Sequence, residues 1–118
     1  MTNDQIDKLR STLVSLFGEA IVEPDDESES LYVESKRAAV MIVRDVMDVD
    51  SILGERQIPC WSVGTLDDEG EFSMIDQSDS FWGITAKAAS IITRTAVAAL
   101  QFDEYVSQLK QEAEQQYE

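Results

Sequence analysis

Carboxylates are the most numerous reactive groups in this chain of 118 residues, and they come in clusters. Asp45, Asp48 and Asp50, and again Asp67, Asp68, Glu69 and Glu71, supply the hard oxygen ligands that calcium or magnesium takes. Neither run has calcium-loop spacing: after Asp48 and Asp50, Ile52 stands where a third ligand belongs, and Gly54 comes one place late. Asp67-Asp68-Glu69-Gly70 reads more simply as turn chemistry. Paired carboxylates do acid–base work when burial raises one pKa, and these acids lie in polar runs that favour water. No metal and no other cofactor is expected, and no catalytic residue is assigned.

Other chemistries are poorly supplied. Histidine is absent, which removes the usual general base and zinc ligand. Cys60 is the single cysteine, so an internal disulfide is impossible; a buried structural thiol is favoured over a reactive one, which would need a cation or helix N-terminus beside it. There is no glycine-rich phosphate loop and no basic patch, so nucleotides and direct nucleic-acid contact are disfavoured. Trp61, Phe81 and Trp82 are candidate contact aromatics, with Asp76 and Asp79 close to the last two; aromatic anchors dominate binding hot spots, although tryptophan goes more often to cores.

Net charge is the strongest signal. Twenty-four acids against nine bases give −15. The stretch 19–34, which includes Asp25, Asp26, Glu27 and Glu29, has no base, and none stands between Arg56 and Lys87. Such a field repels nucleic acid and anionic lipid and attracts basic proteins. The plainer alternative is that the acids serve solubility or a salty cytosol.

The elements that must position these residues suggest an α+β fold in one domain, 1–118: an N-terminal helix, a small antiparallel sheet and a long C-terminal helix packed on it. The spacing predicts a helix over 3–17. Thr2 and Gln5 have capping-box spacing, Ile6, Leu9, Leu13, Leu16 and Phe17 share one face, and Gly18 follows as a stop. Residues 23–30 read as an exposed acidic loop, with Pro24 barring a helix. The stretch 31–53 fits either a helix or strands; strands to about Val46, then a short helix over Val49–Leu53 ending at Gly54, are preferred. Residues 60–76 form a hairpin around Gly70. From about Ser80 a long helix follows, jogged at Gly83 and fraying over 110–118, its stripe running Ile84, Ala88, Ile91, Thr95, Ala98, Phe102, Tyr105, Leu109, Ala113. Ala89, Ala96, Val97 and Leu100 make its far side apolar too, which suggests a homodimer through this helix.

This order of elements, with Gly64-Thr65-Leu66-Asp67-Asp68-Glu69-Gly70-Glu71-Phe72 as hairpin and Phe102-Asp103-Glu104-Tyr105-Val106 in the last helix, resembles the small acidic type III secretion chaperones and related YbjN-like proteins. The resemblance implies a homodimer that wraps an extended partner segment without enzymatic activity.

The expected function is therefore a non-enzymatic, cytoplasmic, chaperone- or adaptor-like module engaging a basic or amphipathic protein segment, with no membrane contact. Its candidate contact residues are Asp25, Asp26, Glu27, Glu29, Trp61, Asp67, Asp68, Glu69, Phe81 and Trp82. An inhibitor, immunity protein or DNA-mimicking decoy is the first alternative, and a carboxylate- or metal-dependent enzyme the second.

Overall fold

Thr2 begins the first helix as its spacing requires. In the computed structural model, which describes residues 2–25, 27, 29–35 and 38–116, the Thr2 hydroxyl accepts from the Gln5 amide and the Gln5 side chain accepts from the Thr2 amide. Helix α1 (Asn3–Phe17) ends at Gly18, whose φ of 87° needs a residue without a Cβ. Ile6, Leu9 and Leu13 are buried, while Leu16, expected on the same face, is exposed.

Five strands follow: β1 (Ile21–Asp25), β2 (Ser30–Ser35), β3 (Ala38–Ser51), β4 (Gly54–Leu66) and β5 (Phe72–Ser78). They form one antiparallel sheet in chain order. Helix α2 (Phe81–Gln116) packs against β3, β4 and β5, so the fold is α+β as expected. Val22, Leu31, Val33, Val40, Ile42, Trp61 and Val63 alternate onto one face. Both helices cover that face, with Ile84, Ala88, Ile91 and Ile92 of α2 in the same core.

Three local expectations are corrected. The loop expected over 23–30 is shorter: 21–25 is strand β1, and Pro24 is tolerated there because β1 is an edge strand. The short helix over Val49–Leu53 does not exist. Residues 31–35 and 38–51 are strands, β3 runs on to Ser51, and Gly54, at φ 107°, closes a tight hairpin rather than a helix. Val49 and Asp50 pair instead with Arg56 and Glu55 across the hairpin. Nor is there a jog at Gly83: α2 runs straight through it. Ser80 helps start α2 by accepting from the Gly83 amide at 2.9 Å.

Two extensions leave the body at opposite ends. The β3–β4 hairpin reaches past Arg44 and Trp61 to a tip where Ile52 and Leu53 stand in water. Helix α2, about 54 Å long at its 36 residues, passes the sheet and leaves Val97, Leu100, Phe102, Tyr105 and Leu109 exposed. Together they draw the molecule out to 73 × 32 × 26 Å. Of the residues expected on the far side of α2, Ala89 packs against the chain's own core and Ala96 is half-buried.

Candidate functional site: an acidic cleft with an aromatic floor

The strand order carries Asp25 and Ser30, the two ends of the β1–β2 connection, to the edge of the sheet where α2 begins. Ser30 pairs with Val43, Val43 with Ser62, and Ser62 with Gln77, a few residues before Phe81. A cleft of about 470 Å³ opens there, lined by Gln5, Pro24, Asp25, Glu29, Ser30, Arg44, Trp61 and Phe81.

Its floor is a run of aromatic rings. Trp61 and Phe81 meet edge to face with centroids 5.4 Å apart, and Phe81 in turn meets Trp82, which lies outside the cleft lining, in the same way at 5.7 Å. Trp61 and Phe81 are buried, whereas Trp82 is 48% exposed. Two of the three candidate aromatics are therefore core residues that also line the cleft. Trp82 is the exposed one of the three. Cations of the chain itself approach both tryptophans: Arg44 stacks over Trp61 at 4.6 Å and Lys8 lies 6.0 Å from the Trp82 centroid.

The acidic wall is held by backbone geometry. The Arg44 amide donates to the Glu29 carbonyl at 3.1 Å, tying the connection to β3. Glu29 has φ 49°, the left-handed region that non-glycine residues seldom occupy. Asp25 accepts from the Glu27 amide at 3.1 Å. Glu27 is exposed beside the cleft, and Asp26 lies outside the described residues.

The second acidic cluster is elsewhere. Asp67, Asp68 and Glu69 occupy the β4–β5 turn, at the other end of the sheet. Asp67 accepts from the Glu69 and Glu71 amides at 2.9 and 2.8 Å, which is turn chemistry. Among the described residues, no three Asp, Glu or Cys side chains gather as metal ligands.

A polar cluster that sequence reasoning missed lies on the sheet face opposite the helices. Ser62, fully buried, donates to Asp45 at 2.7 Å, and Gln77 donates to Ser62 at 3.0 Å. The Ser62 bond, then the Val46 amide and a longer bond from Gln77 at 3.5 Å, hold the Asp45 carboxyl below its ordinary value. A carboxylate so held is a weak base, and the arrangement ties three strands together. Burial, reinforced by Asp45, pushes the neighbouring Cys60 thiol up, the opposite of what a nucleophile needs. The Tyr32 hydroxyl donates to Glu34 at 2.9 Å, and that bond raises its pKa as well.

Arg44, Ser30 and Gln5 were also missed as cleft residues. Only the pairing of Arg44 with Trp61 across β3 and β4 would have pointed to the first, and it depends on register. No protein-family model, no curated protein and no solved structure matches the chain. Among the described residues, no helix is long and apolar enough to cross a membrane.

Proposed function

We propose that this protein is a non-enzymatic, acidic protein-binding module whose cleft between the β1–β2 connection and the start of α2 receives a basic, amphipathic segment of another protein. One observation carries the reading: Asp25 and Glu29 share a cleft with Trp61 and Phe81, and exposed Trp82 meets Phe81 edge to face beside it. Acids steer a cation inward and exclude anions, while an aromatic surface gives the apolar side of the segment something to cover. The net charge of −15 extends that steering over the whole molecule. Arg44 already holds the Trp61 face, so the incoming cation pairs with the carboxylates and the apolar contact falls to Trp82. A single unpaired cysteine is in keeping with work in a reducing cytoplasm.

Selection from a random-peptide display library tests this. Enriched sequences should combine Lys or Arg with apolar residues, and enrichment should vanish for Asp25→Asn/Glu29→Gln and for Trp82→Ala. Enrichment that ignores all three substitutions would sink the cleft. Displacement of DNA from a basic cleft by the protein would favour the decoy instead.

A further inference from the structure

The sheet-facing stripe of α2 does not stop where the sheet stops. Ile84, Ala88 and Ile91 bury it against the core, with Ile92 beside them. The same 4-3 spacing then continues through Thr95, Ala98, Phe102, Tyr105 and Leu109, all of them exposed; Phe102 is 65% and Tyr105 58% open to water. Such spacing is the seam of a helix pair. A lone helical end of this length is marginal in water without a packed face.

From this geometry we infer that the projecting end of α2 pairs antiparallel with the same segment of a second copy, Phe102 lying opposite Tyr105 of that copy in both directions. Three features on the helix select this occupant. In that register Ala98 faces Leu109, small against large, so the seam complements itself. Ala98 also borders a groove of about 400 Å³ lined by Ile75, Ile91, Arg94 and Thr95, into which the second copy's Leu109 fits as a knob. Finally, the positions flanking the seam are Ala99, Val106 and Ala113 on one side and Gln101 and Gln108 on the other. Glu112, which the spacing places on the seam after Leu109, faces Thr95 of the second copy, so two chains of charge −15 close along this face with no carboxylate of one helix opposite one of the other. Asp103 and Glu104 are turned away by helical spacing, and Arg94 falls beside Glu112 of the second copy.

The exposed seam side chains supply less than half of a standard interface, and the groove adds to them. Phe102, Tyr105 and Leu109 leave roughly 300 Å² per chain open to water, against about 800 Å² per partner in a standard interface. Ile75, half-exposed in the groove wall, and the adjoining flanks extend the contact.

Sedimentation equilibrium at tens of micromolar should give twice the 13.2 kDa chain mass. Phe102→Glu/Tyr105→Glu should give the monomer with its near-ultraviolet dichroism intact, since both residues lie outside the core. Mild oxidation should link Ala98→Cys/Leu109→Cys into a covalent dimer and leave either single variant unlinked; native Cys60 is buried and can remain. A monomeric wild type, a dimer that survives both glutamates, or single variants that link as well as the double would each overturn the pairing. The cleft reading stands or falls independently.

Discussion

Arg44 lies across the face of Trp61, its guanidinium carbon 4.6 Å from the ring centroid, and donates to the Cys60 carbonyl at 3.4 Å. The pair follows from register, since the two residues are directly opposite on β3 and β4. It puts a cation of the chain itself inside a cleft walled by Asp25 and Glu29.

Replacing Arg44 by Gln should act in two opposite directions. Loss of the stacked cation should lower stability by about 1 kcal/mol in urea unfolding. Removing a positive charge from the cleft should tighten binding of a cationic peptide several-fold at low salt. Weaker binding, with the fold retained, would count against the cleft as a cation-binding surface.

Gly64→Ala should be severe. Gly64 sits at the β-bulge between β4 and β5, and a Cβ there would be driven into the Ser73 backbone carbonyl, which cannot swing aside as a side chain can. A loss of about 3 kcal/mol is expected from the urea midpoint. A change below about 0.5 kcal/mol, the usual range for surface positions, would show that the bulge is wrongly placed.

Acid should weaken the fold partly through Asp45. Its folded pKa lies below the ordinary 3.8, held there first by Ser62, then by the Val46 amide and by Gln77. A carboxyl lowered on folding contributes stability that is complete above its unfolded pKa and disappears as pH falls through the folded one. Stability measured in urea should therefore fall below about pH 4, and Asp45→Asn should flatten that part of the curve. Asp76, lowered by its bond to Lys87, acts in the same direction but lies in water. An Asp45→Asn curve parallel to wild type would remove Asp45 from the account.

Legibility in the sequence followed how local each determinant is. The capping box at Thr2 and Gln5, and the turn at Gly70, act within a few residues, and α1 and the β4–β5 hairpin are where the pattern puts them. The β3–β4 arm was hidden because Val49 to Gly54 satisfies helix-stop chemistry as well as hairpin chemistry, and only pairing decides between them. Strand β1 was hidden by Pro24 and its acids, which an edge position tolerates. Trp61, Phe81, Asp25 and Glu29 were each named from the sequence. That they share one cleft while Asp67 to Glu69 lie at the other end depends on sheet order, which residue types do not encode.

The two acidic clusters at opposite ends of the sheet provide the most direct test. A peptide of alternating lysine and leucine pairs, titrated into isotope-labelled protein, should shift the Trp82 indole resonance and the amides of Asp25, Glu27, Glu29 and Ser30 while leaving those of Asp67 to Gly70 nearly still. Equal shifts at both ends, or shifts confined to the β4–β5 turn, would mean that bulk negative charge alone attracts the peptide and that the cleft has no part in it.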